Sequence, residues 1–174
     1  MVQLYREVNK LAKVLKDYGL KKGDRVAVFL PVIPELPITL LATARLGGVH
    51  AVVFSGFSAE ALADRVNDCG AKFLVTADGS FRRGKSVAIK DNADRALPNM
   101  PNIEKVIVVK RTGQPVQMKE GKEVWYHDAL ASAGASAYVE PESVKSTDPL
   151  FILYTSGTTG KPKGVVHGTG GYLV

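Results

Sequence analysis

Cysteine is almost absent from this sequence: Cys69 stands alone, so no internal disulfide can form. Its place in Asn67-Asp-Cys-Gly70, at a helix end, reads as a small core residue rather than a reactive thiol. Histidine is nearly as scarce. His50, His127 and His167 are scattered singly, none at metal-ligand spacing from a partner, which favours packing or surface roles and leaves no metal site to name. No apolar run approaches the ~18 residues that a bilayer span requires. The opening Met1-Val-Gln-Leu-Tyr-Arg-Glu7 lacks the pattern of a signal peptide. A cytoplasmic protein without a membrane partner is the expectation.

Long blocks of one charge are missing too. The formal net charge is +6, yet the cations are spread along the chain and concentrate only in Arg82-Arg83-Gly84-Lys85 and around Lys161 and Lys163. Neither a helix-turn-helix pattern nor an aromatic-interleaved RNA-binding motif accompanies them, so nucleic acid is not the expected partner. A nucleotide cofactor is also a polyanion and needs only such local clusters. With 45% hydrophobic and 23% charged residues, the chain has globular composition, and 174 residues correspond to about one domain.

What the chain does contain is a regular alternation. Leu4, Val8, Leu11, Val14, Leu15 and Tyr18 recur at helical spacing and end at Gly19. A buried strand is expected over 25–30, and a helix over 35–46, with Pro31, Pro34 and Pro37 around its start and Gly47-Gly48 at its end. A strand over 51–54, a helix over 59–69 capped by Ser58, and a strand over 72–76 follow. A helix over 85–97 and a strand over 105–109 continue the series. Residues 111–126 are polar and read as an exposed excursion with a short edge strand near 124–126. A short helix over 128–133 leads to a surface linker over 135–149. The expected fold class is therefore α/β: a parallel sheet with helices on its faces, built from βαβ units.

The stretch from Phe151 to His167 stands out. Four apolar residues, Phe151 to Tyr154, read as the end of a buried strand. Thr155, Ser156, Gly157, Thr158, Thr159 and Gly160 each carry a hydroxyl or no side chain, then Lys161, Pro162 and Lys163 follow. Hydroxyls, close-approaching amides and lysines suit a polyphosphate. A flexible surface hairpin with ordinary turn glycines is the other reading of such a loop. It is not a Walker A loop, because only two residues separate the glycines and proline follows the lysine. The architecture expected is strand, loop, strand. In open parallel sheets ligands bind at the carboxyl ends of the strands. The loops near 55–57, 78–85 and 155–163 all leave strands in that sense. They place one polyanion site, or two adjacent ones, along one edge.

Tyr154-Thr-Ser-Gly-Thr-Thr-Gly-Lys-Pro-Lys-Gly164 resembles the signature loop of the adenylate-forming enzymes, the family of acyl-CoA synthetases, peptide-synthetase adenylation domains and luciferases. The continuation to Val174, the segment from Gly23 to Glu35, and Leu46-Gly-Gly-Val-His-Ala-Val-Val-Phe-Ser-Gly-Phe-Ser58 are similar to its AMP-forming acetyl-CoA synthetase branch. The resemblance runs from about residue 3 to residue 174. It implies that Thr155, Ser156, Gly157, Thr158, Thr159, Gly160, Lys161 and Lys163 bind the phosphates of ATP with Mg2+. On their own residues, Arg82, Arg83, Gly84 and Lys85 read first as a solvated basic turn; the resemblance instead implies that they hold the phosphates of coenzyme A.

The implied activity is acetate:CoA ligation through an acyl-adenylate, with acetate or propionate as the carboxylate. Family members are several times longer than this chain, and the acyl pocket and the catalytic lysine lie in the parts without a counterpart here. No residue of this chain is therefore expected to be catalytic. The expectation is an interior piece of the large N-terminal AMP-binding domain, spanning 1–174 and inactive alone. A non-catalytic nucleotide- or CoA-binding module is the alternative, and a piece that persists only as an oligomer is a third.

Overall fold

The computed structural model describes residues 1–134, 137–155 and 162–173. Six helices and nine strands are seen among them, in the order α1 (Val2–Asp17), β1 (Arg25–Phe29), α2 (Glu35–Arg45), β2 (Val49–Val52), α3 (Ala59–Cys69), β3 (Phe73–Ala77), β4 (Ser80–Arg82), β5 (Lys85–Val87), α4 (Ile89–Ala96), β6 (Lys105–Val109), β7 (Glu123–Trp125), α5 (Tyr126–Ser132), β8 (Pro149–Thr155), β9 (Lys163–Gly168) and α6 (Thr169–Leu173). Seven strands form one sheet in the order β7-β6-β3-β1-β2-β8-β9. All pairs are parallel except β8–β9, an antiparallel hairpin at one edge. β4 and β5 pair separately as a small antiparallel hairpin.

The strand residues explain the layers. In β1, Val26 and Val28 point to one face, and Ala27 and Phe29 to the other; all four are buried. The first face packs on Leu11 and Leu15 of α1, Ile38 and Ala42 of α2, and Tyr126 and Leu130 of α5. The second packs on Leu62 and Val66 of α3, and Ile89 and Ala93 of α4. Burial on both faces is why these strands are short runs of Val, Ile, Leu and Phe. Cys69 lies in the second layer with its thiol hydrogen-bonded to the Val66 carbonyl, and burial pushes its pKa up. It is a core residue.

Two expectations need correction. The helix expected from residue 85 starts only at Ile89, because Lys85–Val87 is a strand paired with Ser80–Arg82. The turn glycine and alternating Lys-Ser-Val fit the hairpin better than a helix start. The β8 segment is not buried: Phe151 and Ile152 are half-buried and Leu153 is 44% exposed. Ile152 and Tyr154 reach the α3 layer, but Phe151 and Leu153 line an open apolar groove of about 540 Å3 beside Leu41 and Tyr172.

The segments between elements are pinned rather than loose. The Asn9 side chain accepts from the Val139 amide, and Arg45 donates to the Val139 carbonyl. Lys22 pairs with Asp148 at 3.0 Å, just before β8.

Candidate functional site

The parallel strands bring the turns after β1, β2, β3 and β8 to one edge of the sheet. β1 lies between β2 and β3, and α2 after β1 packs on one face of the sheet while α3 and α4 after β2 and β3 pack on the other, so a crevice opens at the end of β1. It is lined by Leu30, Pro31 and Val32 after β1, Phe54, Ser55 and Gly56 after β2, and Phe81, Arg82 and Val87 of the β4–β5 hairpin. Its volume is about 340 Å3. Val32, Phe54 and Phe81 are 97%, 59% and 58% exposed, an unusual display of large apolar groups around the opening.

The basic hairpin stands over this crevice. Arg83 and Gly84 have φ of 51° and 75°, the signs of the two central residues of a type I′ turn, which matches the twist of a two-strand hairpin. Arg83 is the one non-glycine residue at positive φ among the described residues. Arg82 and Lys85 are directly opposite each other in the last rung. Like charges so placed repel, and among the described residues no carboxylate pairs with Arg82, Arg83 or Lys85. All three are exposed. An anion placed there relieves the repulsion.

Beneath the hairpin lies Asp78, fully buried at the end of β3. Its carboxylate accepts from the amides of Gly79 at 2.6 Å, Arg111 at 2.7 Å, Thr112 at 3.0 Å and Gly113 at 2.7 Å. Burial alone would raise its pKa; the amides of Thr112, Arg111, Gly113 and Gly79 outweigh that and hold it below the usual aspartate range. Lys90, on α4, is buried as completely and lies 2.5 Å from Asp94 and 2.9 Å from Glu123. Sequence reasoning missed both residues. Asp-Gly directly after an apolar run was the available signal for Asp78; Lys90 sits at a core position of an amphipathic helix.

The second candidate loop lies three strand spacings from β3, roughly 14 Å along the same edge. Thr155 and Lys163 form its last described rung, and both are exposed. Ser156, Gly157, Thr158, Thr159, Gly160 and Lys161 lie outside the described residues. The Tyr154 hydroxyl is 2.8 Å from the Asp68 carboxylate and 3.0 Å from the Arg65 carbonyl, so α3 fixes the strand below the loop. Burial and the Asp68 hydrogen bond push the Tyr154 pKa up, leaving a neutral phenol. Arg65 in turn covers the Phe57 ring at 4.3 Å, linking this strand to the turn after β2.

Histidines expected to be scattered come together here in part: His50 and His167 stack on either side of Phe151, with centroids 5.5 and 4.4 Å away. Among the described residues no three His, Cys, Asp or Glu side chains gather as a metal site, and no helix is long and apolar enough to cross a membrane.

At the family level, residues 2–174 match the AMP-binding enzyme family. The chain belongs to that family. It is 57% identical over 172 residues to acetyl-coenzyme A synthetase of Methanothrix thermoacetophila, covering 99% of this chain and 26% of the relative. It is 53% identical to 3-hydroxypropionyl-coenzyme A synthetase of Sulfurisphaera tokodaii over 174 residues, 98% of this chain and 26% of that one. Among solved structures, acetoacetyl-CoA synthetase from Streptomyces lividans superposes with a TM-score of 0.87 at 34% identity, over 99% of this chain and 26% of that chain. The chain thus spans about a quarter of the length of these relatives, which fits a parallel α/β region of a larger synthetase fold.

Proposed function

We propose that this chain supplies the phosphate- and coenzyme A-binding part of an AMP-forming acyl-CoA synthetase acting on acetate. The observation that carries the reading is the basic hairpin, with unpaired opposed cations and a left-handed arginine, set over an apolar crevice at the sheet's switch point. A phosphorylated nucleotide fits that chemistry: phosphates on Arg82, Arg83 and Lys85, with a flat base against Phe54, Phe81 and Val32. Coenzyme A offers both groups. Gly84 keeps the turn open enough for close approach.

In the first half-reaction a carboxylate oxygen attacks the α-phosphorus of ATP, and the bond to pyrophosphate breaks. Thr155 and Lys163, with Ser156, Gly157, Thr158, Thr159, Gly160 and Lys161 between them, would donate to the β- and γ-phosphates and neutralise the leaving pyrophosphate. Mg2+ would share those phosphates with the loop hydroxyls and supply further charge neutralisation. In the second half-reaction the coenzyme A thiolate attacks the acyl carbon and AMP departs. Propionate is the second carboxylate to consider. The relatives include an acetyl- and a 3-hydroxypropionyl-coenzyme A synthetase at 57% and 53% identity, so overall identity does not separate the two acyl groups.

Acetate-dependent ATP–pyrophosphate exchange on this chain tests the assignment of turnover. No exchange is expected, because the acyl pocket and catalytic lysine belong to other parts of the family's chains; exchange would overturn that assignment. In a catalytically competent chain carrying this sequence, Lys163→Ala should slow exchange. Arg82→Ala should leave exchange intact and raise the KM for coenzyme A by roughly 10- to 100-fold, the loss of a charge-assisted contact. Equal slowing of exchange by both would contradict the division.

A second reading is a module that binds anionic nucleotides without turnover. The exposed crevice favours it, and saturable coenzyme A binding in a chain that never supports catalysis would establish it.

A further inference from the structure

Asp78 uses every polar group it has on one task. Its amide donates to the Val109 carbonyl at 2.9 Å, extending the β3–β6 ladder past the last strand residue. Its carbonyl accepts from Gln114 Nε2 at 2.6 Å and from the Lys90 amide at 3.3 Å, the first turn of α4. Its carboxylate gathers the consecutive amides of Arg111, Thr112 and Gly113. Gln114 then turns its Oε1 to the Ser86 hydroxyl of β5, which donates at 3.1 Å. The Arg111 guanidinium lies over the Phe81 ring of β4, 5.8 Å from its centroid. Both hairpin strands therefore rest on the segment that Asp78 holds.

The packing leaves no slack. A Cβ added at Gly79 would stand 2.9 Å from Gln114 Nε2, Thr112 Oγ1 and the Val87 carbonyl, so the hairpin root and the 112–114 segment approach as closely as backbone allows. A buried carboxylate with several amide donors is costly to disrupt, because any donor left unpaired stays desolvated.

We propose that Asp78 is a positioning residue for the basic hairpin: it seats residues 111–114 against β4 and β5 and thereby fixes where Arg82, Arg83 and Lys85 present their charge to a phosphorylated ligand. The inference rests on reading that hairpin as a phosphate anchor. Asp78 touches no ligand itself. Its side chain acts through Gln114 and Arg111 on the strands that carry the cations.

The test uses the 174-residue chain with adenosine 3′,5′-bisphosphate as probe, calorimetry for affinity and 1H–15N spectra for position. Asp78→Asn keeps the size but gives one acceptor instead of two and turns an NH2 group toward amide donors. Affinity should fall about tenfold, the amides of residues 81–86 should shift, and slow-exchanging amides of β1 and β6 should keep their protection. Gln114→Ala, away from the buried carboxylate, should shift the same hairpin amides and weaken binding less. It serves equally if the Asp78 variant does not fold. Arg82→Ala should weaken binding by roughly 10- to 100-fold and leave the amides of 111–113 in place. Unshifted hairpin amides and unchanged affinity in both Asp78→Asn and Gln114→Ala overturn the proposal. If the unaltered chain does not bind the probe, the anchor reading falls, and the hairpin shifts alone decide whether Asp78 positions these residues.

Discussion

Lys90 and Asp78 are two fully buried charges within one turn of the chain's most basic hairpin, and they behave differently. Lys90 is an ion-pair centre: without its ammonium, Glu123, whose side chain is wholly buried, keeps its charge with only the Lys119 amide donating to it at 3.0 Å. Lys90→Ala should destabilise the fold by about 3–5 kcal/mol, read from urea unfolding, the usual result of breaking a buried pair from one side. Lys90→Ala with Glu123→Ala should recover part of that loss, since the stranded charge goes too. Asp78 instead titrates. Its pKa is depressed on folding, so its stabilisation is full above the unfolded value of about 4 and is lost as pH falls through the folded value. Amide exchange at 111–113 should accelerate in that acidic window, and Asp78→Asn should remove the dependence.

Among elements, the β4–β5 hairpin carries its strain at Arg83, the residue proposed to meet a phosphate. Arg83 holds a conformation that costs an L-residue about 1 kcal/mol, which Gly would not incur. Arg83→Gly should slow amide exchange across β4–β5 by up to about fivefold, a gain near 1 kcal/mol. The same change should weaken binding of a phosphorylated nucleotide. Gains in both would show that the arginine is not there for an anion.

The hairpin also marks where sequence reading stopped. The sheet was legible because both-face burial writes itself as continuous Val, Ile, Leu and Phe, and β1, β3 and β6 follow it. Lys85-Ser-Val87 reads as part of the following helix, because helix starts and short polar strands share residue types, and only the pairing to Ser80–Arg82 separates them. Arg82 to Lys85 were legible as cations, not as opposed cations. The role of Asp78 was hidden for a different reason: apart from Gly79, its amide donors lie more than thirty positions on, in a segment that composition alone marks as an excursion.

Across the whole molecule, the β2–β8 edge governs behaviour in acid. Burial lowers the His50 pKa to about 4, and its Nδ1 has no partner among the described residues. The folded form therefore keeps His50 neutral, while the unfolded chain takes up a proton near pH 6.5. Stability should hold above pH 6.5 and fall progressively toward about pH 4, visible as a declining Tm. His50→Gln should flatten that decline. An unchanged slope would mean that other groups dominate acid unfolding.

β8 pairs with β2 through His50 and Phe151, residues separated by 101 positions (151 − 50), whereas β1, β2 and β3 pair within the first half of the chain. Closing so long a loop is entropically slow and requires its docking edge to exist first. The strand that leads into the Thr155 loop is thus a late arrival in folding. A protein emerging from the ribosome would own its basic hairpin well before the strand that ends at Thr155, so on the proposed assignment the site used second would mature first.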